Sequence, residues 1–270
     1  MQPNNAIYRN CNREFSAADQ QTLFGSPRTL NQQAQSITPG EWLEARKALL
    51  VKEKEITRAN EKLFAQLRDF PMVKVDKEYI FHSPDGKKVT LADLFKGKKQ
   101  LIVYHFMFAP EADNGCHGCS LMGDNFPNMR HLESKETAFT AVSRAPIEKI
   151  EAFRKKTGWK FPWVSSGGSD FNYDFHVTLD ESVAPVEYNY RNKEELEERG
   201  LAHQLNGEQP GMSVFYKEGD DVYHTYSTYA RGLERYLTIF NLLDVTPLGR
   251  QVGPTGPGEF KLSYEYDEEK

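Results

Sequence analysis

Two of the chain's three cysteines, Cys116 and Cys119, form a C-x-x-C pair within LIVYHFMFAPEADNGCHGCSLMGDNF, residues 101–126. The apolar run before the pair predicts a strand, and the residues after it predict a helix, with a polar loop between them. Two thiols three residues apart at such a joint suit dithiol-disulfide exchange, in which one thiolate attacks and the second resolves. The spacing therefore predicts a redox site at the end of a strand.

The predicted helix gives the two thiols different roles. A thiol at a helix N-terminus faces unpaired backbone N–H groups and the positive end of the helix dipole, and both favour the thiolate. We therefore expect Cys116 to be an exposed nucleophile with a pKa of about 3.5 to 7.5, against about 8.5 for a free thiol. Cys119 lies one turn further along and is expected to be the more buried, resolving thiol.

Two histidines are candidates for assisting the thiols. A charge on His117 would lower the pKa of the adjacent Cys116, although His117 could equally be an exposed helix residue. Strand alternation predicts that His105 shares a face with Met107, and a titratable group in a buried strand requires a partner. His105 could exchange a proton with Cys119, or it could be a hydrogen-bonded core histidine.

A zinc site is the main alternative chemistry for the cysteine pair. Cys116 and Cys119 could bind zinc together with His117 or His131. Structural zinc sites usually add a second close pair of ligands at a distance in the sequence, and this chain shows none. We therefore expect neither a metal nor another cofactor.

The composition excludes several classes of protein. The chain has 270 residues, 39% hydrophobic and 27% charged, with a formal net charge of -5. No run approaches the roughly 18 apolar residues of a membrane span, and the N-terminus lacks the apolar segment of a secretory signal. We expect a cytoplasmic protein, where a close cysteine pair is more often catalytic than structural. An acidic balance without a basic stripe disfavours nucleic acid as a partner.

The N-terminal part predicts an arm followed by a long helix. Residues 1–37 are polar and without periodicity, and they contain Cys11, which we interpret as an exposed thiol. Thr38, Pro39 and Glu41 are typical of a helix start, so residues 38–70 are predicted to be helical. Apolar residues recur in it every seven positions, which favours packing on the rest of the domain and leaves a coiled-coil homodimer as the alternative. These residues are Trp42, Leu49, Ile56, Leu63 and Phe70.

The remaining sequence alternates strands and helices. Strand, helix, strand and helix in succession predict a parallel βαβ unit, and a later hairpin adds antiparallel strands. With the dithiol at the end of the first core strand, this is the thioredoxin arrangement: an α/β fold with a central mixed sheet, in one domain over residues 38–250. The predicted elements are a hairpin at 79–91, strands at 101–108 and 138–144, helices at 116–132 and 146–158, an aromatic loop at 159–175, an insertion at 178–209, a hairpin at 212–227, a last helix near 233–240 and an acidic tail at 251–270.

Four long stretches resemble a known family. LIVYHFMFAPEADNGCHGCSLMGDNF, TAVSRAPIEKIEAFRKKTGWKFPWVSSGGSDFNYDF, GMSVFYKEGDDVYHTYSTYARG and LLDVTPLGR are similar to the bacterial Domain of Unknown Function 899 family of thioredoxin-like dithiol-disulfide oxidoreductases. The resemblance covers residues 40–250. It implies a thioredoxin-like fold with Cys116 and Cys119 as the redox pair, and it supplies no substrate.

A more distant similarity raises a second activity. HSPDGKKVTLADLFKGKKQLIVYHF is similar to the start of the peroxiredoxin core, which implies peroxide reduction. Peroxiredoxins carry a Thr or Ser three residues before the reactive cysteine, where this chain has Asp113, and they carry a later arginine. Arg144 or Arg231 could fill that role. The pattern fits poorly, so thiol peroxidase ranks below disulfide exchange.

The strand that faces the dithiol departs from the thioredoxin pattern. Thioredoxins place a cis-proline just before this strand, where exposed backbone pairs with the substrate. In this chain Pro210 stands one or two residues early. Either the insertion shifts Pro210 from the facing position, or Gly211 and Met212 occupy that position without a proline. We predict a substrate groove built from these three residues and Arg144. A third possibility is a non-catalytic binding module that uses residues 159–175 and the long helix as contact surfaces.

Overall fold

The computed structural model describes residues 36–253 and 256–266. Cys11 and nearly all of the predicted N-terminal arm lie outside the described residues. The chain divides into two compact units, with the boundary between Met72 and Val73. Within the part that the structure describes, no helix is both long and apolar enough to cross a membrane.

The first unit is a single long helix, α1 (Pro39–Arg68), which begins at the predicted residue. The Thr38 hydroxyl accepts a hydrogen bond from the Glu41 amide, and the Glu41 carboxylate accepts one from the Thr38 amide at 2.9 Å. This reciprocal capping satisfies two of the backbone donors that a helix start leaves unpaired. The apolar residues at seven-residue spacing are exposed, with Ile56 at 63%.

The second unit contains one mixed sheet of eight strands and two small antiparallel pairs, counted over the described residues. The strands are β1 (Val73–Lys74), β2 (Ile80–His82), β3 (Lys88–Thr90), β4 (Gln100–His105), β5 (Thr137–Ser143), β6 (Trp163–Ser165), β7 (Thr178–Leu179), β8 (Glu187–Tyr188), β9 (Arg191–Asn192), β10 (Gly207–Glu208), β11 (Gly211–Glu218) and β12 (Asp221–Tyr229).

Helices pack on both faces of this sheet and within the insertion. They are α2 (His117–Asp124), α3 (Met129–Glu133), α4 (Ile147–Thr157), α5 (Phe171–Asp174), α6 (Lys193–Glu198) and α7 (Thr238–Leu243). Shorter 3-10 segments are Asp93–Phe95, Ala202–Gln204, Ala230–Tyr236, Gly256–Glu259 and Ser263–Tyr266.

Strands β12, β11, β4 and β5 lie side by side in the order of the thioredoxin core. The sheet runs β1-β12-β11-β4-β5-β6-β2-β3. β4 and β5 are parallel, whereas β11 is antiparallel to both β4 and β12. The parallel pair requires the crossover through α2 and α3, and the hairpin of β11 and β12 returns beside β4. The predicted mixed α/β, thioredoxin-like fold is therefore confirmed.

Side chains on alternate positions of β4 fill two separate cores. Tyr104 belongs to one cluster, together with Cys116, Cys119 and the aromatic residues around α4. Leu101 and Val103 belong to the other, beneath the hairpin of β2 and β3 and helix α5. Because neighbouring residues of a strand point to opposite faces, one sheet separates the dithiol from the second core.

Two predicted elements differ from the structure. The helix predicted over 116–132 is broken between α2 and α3, because Pro127 cannot continue a helix and Asn128 caps a new one by accepting from the Arg130 amide at 3.1 Å. Residues 256–266 of the predicted acidic tail fold back onto the domain. Leu262 in that segment is 2% exposed. Burial of this apolar side chain lowers the free energy relative to exposure in water, and so it stabilises the folded-back segment.

Candidate active site

The joint between β4 and α2 places the two cysteines. The Cys116 amide donates to the Met107 carbonyl at 3.0 Å, which ties the helix start to the strand end. Cys116 is the N-cap of α2, and its carbonyl accepts from the Ser120 amide at 2.8 Å and from the Ser120 hydroxyl at 2.9 Å. The predicted position of Cys116 at a helix N-terminus is what the structure shows.

The approach to the helix depends on a residue without a side chain. A Cβ on Gly115 would lie 2.6 Å from a ring carbon of Phe106 and 2.9 Å from one of Phe153. Real Cβ atoms do not come so close to ring carbons, so only glycine allows the loop to pass over these two rings. The aromatic packing therefore sets how near Cys116 lies to the sheet.

Both cysteines are buried, which differs from the exposed Cys116 that the sequence predicts. Cys116 is 1% exposed and Cys119 is 2% exposed, and both are free thiols. Helix N-termini are usually open to solvent, and this one is closed because the C-terminal segment of the chain packs over it. Burial here is thus a tertiary effect that the local sequence does not encode.

Burial raises the pKa of the Cys119 thiol, and a hydrogen bond with Cys116 raises it further. Two hydrogen bonds oppose this effect, one with the Tyr104 side chain and one from the Met107 amide at 3.5 Å. Donors that point at a sulfur favour its charged form, whereas low polarity around it favours the neutral thiol. Cys119 is therefore protonated at rest, with two donors ready for its thiolate.

A small apolar cavity lies against the dithiol. Its volume is about 30 Å³, enough for about two water molecules. The carboxylate of Glu234 is part of the cavity lining, and it forms ion pairs with Arg250 at 2.7 Å and Arg231 at 3.2 Å. The lining residues are Tyr104, Met107, Cys116, Gly118, Cys119, Met122, Pro210, Ala230, Leu233, Glu234, Leu237 and Pro257.

The predicted facing segment does meet the dithiol strand. Gly211 pairs with His105 and Met212 with Tyr104 in the ladder between β11 and β4. Pro210 lines the dithiol cavity, and its carbonyl accepts from the Tyr188 hydroxyl at 2.8 Å. No peptide bond among the described residues is cis. The insertion thus holds the facing loop through Tyr188.

His117 and His105 lie in different surroundings. The His117 Nδ1 is 3.1 Å from the Phe260 carbonyl of the C-terminal segment. His105 lies on the other face of the sheet, where its ring stacks on Phe175 and its Nε2 is 2.8 Å from the Ser213 hydroxyl. Burial lowers the pKa of His105 to about 3. His105 thus packs against Phe175 while Cys119 lies in the core on the other face of the sheet, which does not support the predicted proton transfer between them.

The alternation that grouped His105 with Met107 fails because β4 ends at His105. Met107 follows the strand end, where the chain turns toward the loop, and it packs in the dithiol core. The two-residue period holds only within a strand. Tyr104, one position earlier, points to the cysteine side, and the same period would have indicated it once the helix face was known.

Arg144 does not line the dithiol cavity. Its guanidinium bonds the buried Glu208 carboxylate at 3.0 Å and lies over the Tyr173 ring. Burial raises the pKa of Glu208, while Arg144 opposes that shift. Thr178 also donates to Glu208, at 2.9 Å. The structure therefore does not place Arg144 beside the dithiol, because the arginine instead joins β10 of the insertion to the sheet.

No three His, Cys, Asp or Glu side chains come together as metal ligands would, within residues 36–253 and 256–266. His131, proposed above as a possible zinc ligand, is an exposed residue of α3.

A family model described as a bacterial protein of unknown function, DUF899, matches residues 31–266. The chain belongs to this family. The resemblance noted in the sequence is confirmed by that match, which extends beyond residues 40–250 and includes the segment that covers the dithiol. No curated protein matches the sequence of this DUF899 protein.

The solved structures that are similar to this DUF899 protein include two bacterial ones. Peroxidoxin BcpB from Mycobacterium tuberculosis has 12% sequence identity and a TM-score of 0.42, and the similarity covers 64% of this chain and 97% of that chain. Peroxiredoxin Q from Xanthomonas campestris has 14% identity and a TM-score of 0.40, covering 63% of this chain and 91% of that chain.

Proposed function

We propose that this DUF899 protein is a dithiol-disulfide oxidoreductase in which Cys116 attacks and Cys119 resolves. The observation that carries the proposal is the pair of hydrogen-bonded free thiols at the N-terminus of α2, against an apolar cavity. A thiol at a helix N-terminus is placed for attack, and a second thiol one turn later is placed to release the product.

The reaction balances as two exchange steps. The Cys116 thiolate forms a bond to one sulfur of the substrate disulfide, the substrate S–S bond breaks, and the second substrate sulfur leaves as a thiolate. Cys119 then loses its proton and attacks Cys116, which releases the first substrate sulfur. The substrate gains two electrons and two protons, and the protein ends as a Cys116–Cys119 disulfide that an upstream thiol reductant returns to the dithiol.

The environment of Cys119 suits the second step. Because burial and Cys116 raise the pKa of Cys119, this thiol stays protonated while Cys116 makes the first attack. Once Cys116 is part of a mixed disulfide, the Tyr104 and Met107 hydrogen bonds favour the Cys119 thiolate. Cys116 therefore attacks first, because Cys119 is still protonated. Cys119 attacks second, because hydrogen bonds stabilise its thiolate once the mixed disulfide has formed.

The partners we propose follow from this chemistry. The substrate is a disulfide or an oxidised thiol, and the reductant is a thiol. Both fit a reducing, cytoplasmic compartment. A homodimer through the apolar stripe of α1 remains a proposal, and the net charge of -5 gives no reason to add nucleic acid.

A thiol peroxidase is the second candidate, and the size of the cavity favours it. A space of about 30 Å³ suits a molecule of two heavy atoms such as hydrogen peroxide, given that a water needs about 10–15 Å³. Asp113, at the position of the peroxiredoxin Thr or Ser, is exposed, and Arg144 is bound to Glu208. Disulfide exchange therefore stays the leading proposal.

The decisive experiment traps the intermediate. A Cys119→Ser protein should accumulate a mixed disulfide at Cys116 when mixed with an oxidised thiol, because the resolving sulfur is gone. Cys116→Ser should trap nothing, and Cys11→Ser is the matched control that should behave as wild type. A Cys116→Ser protein that still reduces a disulfide at the wild-type rate would refute the proposal.

The direction of the reaction comes from the reduction potential of the Cys116–Cys119 couple. A value near about -270 mV would identify a reductant, and one near about -120 mV an oxidant. Equilibration with glutathione redox buffers, followed by thiol alkylation and mass spectrometry, measures it.

A further inference from the structure

The C-terminal segment, residues 256–262, covers the dithiol. Pro257 forms part of the cavity wall, and a Cβ on Gly118 would lie 3.4 Å from the Pro257 Cβ. The Phe260 carbonyl lies 3.1 Å from the Nδ1 of His117, the residue that follows the nucleophile. The segment therefore contacts the helix start through both a side chain and its backbone.

Three further contacts hold this segment and the residues that follow it, and none of them involves a cysteine. The Leu262 side chain is buried in the core that contains the dithiol. The Phe260 ring lies 6.2 Å from that of Phe240, and the Lys156 ammonium lies 4.1 Å from the Tyr264 ring centre. Apolar burial and a cation-π contact each stabilise the closed position of the segment. Non-covalent contacts thus hold the segment over the helix start.

Disulfide exchange and this cover are incompatible while the cover stays closed. The attacking sulfur must come into line with the substrate S–S bond, and both cysteines are buried beneath the segment. A cavity of about 30 Å³ cannot hold a disulfide with its flanking chain, since even a drug-sized ligand takes about 300 Å³ or more. A protein disulfide can reach Cys116 only if residues 256–262 leave.

We propose that residues 256–262 occupy the groove for a polypeptide substrate and that the substrate displaces them. The inference rests on the proposed dithiol function and adds the class of substrate, which is a segment of another protein. The present occupant shows what the groove accepts: a backbone carbonyl at His117 and apolar side chains beside Met122, Leu233 and Leu237. A substrate segment with proline or aromatic residues beside its cysteine has the same chemistry.

The test weakens the cover in the full chain. Leu262→Asn puts a polar group at a buried anchor, and Lys156→Ala removes the cation from Tyr264 without altering the core. Lys155→Ala is the matched control, because Lys155 is the exposed neighbour of Lys156 on α4. Loss of an anchor worth 1.4 kcal/mol raises the open population about tenfold. Insulin reduction should accelerate by about that factor in the first two proteins and stay at the wild-type rate in the control.

A second measurement tests occupancy of the groove. A synthetic peptide of residues 256–266 should slow insulin reduction by the Leu262→Asn protein and restore the wild-type rate at saturation. Oxidation by hydrogen peroxide should change much less than insulin reduction, because a small molecule depends less on opening. Thermal melting of each variant confirms that it is folded, and Lys156→Ala serves if Leu262→Asn does not fold.

The outcomes separate the two proposals. If folded Leu262→Asn and Lys156→Ala proteins reduce insulin at the wild-type rate, the dithiol function stands and the cover is not displaced by substrate. Displacement is also refuted if the wild type and every variant consume hydrogen peroxide rapidly but reduce insulin slowly. The substrate is then a small molecule. If no variant reduces insulin and Cys119→Ser traps no mixed disulfide, the dithiol function itself fails.

Discussion

Tyr104 and His105 are neighbours in β4, and their side chains lie on opposite faces of the sheet. Tyr104 hydrogen-bonds Cys119 from the cysteine side of the sheet, while His105 bonds Ser213 on the other side. A tyrosine hydroxyl in a buried setting is a donor that stays protonated at neutral pH, since its ordinary pKa is about 10. Tyr104 is therefore the better candidate for assisting the resolving thiol.

Tyr104→Phe should slow the resolving step. Removing the hydroxyl takes one donor from the Cys119 thiolate, which raises the pKa of Cys119 further and costs about 1 kcal/mol, or about fivefold in rate. The measurement is the pH dependence of Cys116–Cys119 disulfide closure from a preformed mixed disulfide, which should move to higher pH. Tyr79→Phe removes a hydroxyl bonded to Asp174 in the other core and is the control. An unshifted profile would exclude this role for Tyr104.

His105 should make the fold sensitive to acid. Its pKa falls from 6.5 to about 3 on burial, so between these values the unfolded chain binds a proton that the folded chain does not. The stabilising contribution is therefore complete above pH 6.5 and is lost as the pH falls toward 3, by about 1.4 kcal/mol per pH unit.

Urea unfolding at several pH values measures this contribution. A His105→Gln protein should show a shallower loss of unfolding free energy between pH 6 and pH 4 than wild type, by about 1 kcal/mol per unit or more. His131→Gln, in an exposed position of α3, should keep the wild-type slope. Equal slopes in all three proteins would contradict the assignment.

At the level of elements, the loop between β4 and α2 is held by aromatic packing. Phe106, Phe153, Trp159 and Trp163 contact one another beneath it, with Phe106 and Trp163 centroids 4.4 Å apart. Aromatic pairs of this kind are worth about 0.5–1.5 kcal/mol beyond their burial. The start of α2 thus lies on a packed aromatic layer, and a Cβ on Gly115 would collide with two rings of that layer.

Gly115→Ala should disturb both stability and the redox couple. The added Cβ collides with the Phe106 and Phe153 rings, and such overpacking typically costs about 1–3 kcal/mol. Chemical denaturation should show that loss, and the Cys116–Cys119 potential should shift because the helix start moves. Gly258→Ala adds a Cβ into open space and should change neither. A wild-type unfolding midpoint for Gly115→Ala would overturn the packing argument.

At the scale of the whole molecule, α1 forms a unit of its own with an exposed apolar stripe. Isolated helices are marginal in water, and most helices in proteins are stabilised by packing of one apolar face. Leu49 and Ile56 are 52% and 63% exposed. The seven-residue spacing of the stripe is the pattern of a helix that packs along a second helix, which supports the proposed homodimer.

Ile56→Glu should dissociate that dimer. A charge in the centre of the stripe loses the apolar contact and places like charges against each other in a symmetric pair. Sedimentation velocity should show a dimer for wild type, a monomer for Ile56→Glu, and a dimer for Thr57→Glu, which adds the same charge next to the stripe. A monomeric wild-type protein at micromolar concentration would contradict the proposal.

The local chemistry of the dithiol could be predicted from the sequence, because it depends on neighbours in the chain. The spacing of Cys116 and Cys119, the capping of α1 by Thr38, the hairpin of β2 and β3 and the alternation of strands and helices are all local patterns, and the fold followed from their order. Hydrogen bonds between residues three or four apart and a two-residue strand period need no knowledge of the rest of the molecule.

The tertiary structure alone decided what surrounds the dithiol. Pro257 and Phe260 follow Cys116 by more than 140 residues, and no local pattern in a Gly/Pro-rich stretch indicates that it returns to α2. Cys116 is buried, and Tyr104 rather than His105 points at Cys119, because distant segments close the helix start and because the strand ends at His105. Long-range packing sets the exposure of the two sulfurs, the face on which each neighbouring side chain lies and the groups that hydrogen-bond them.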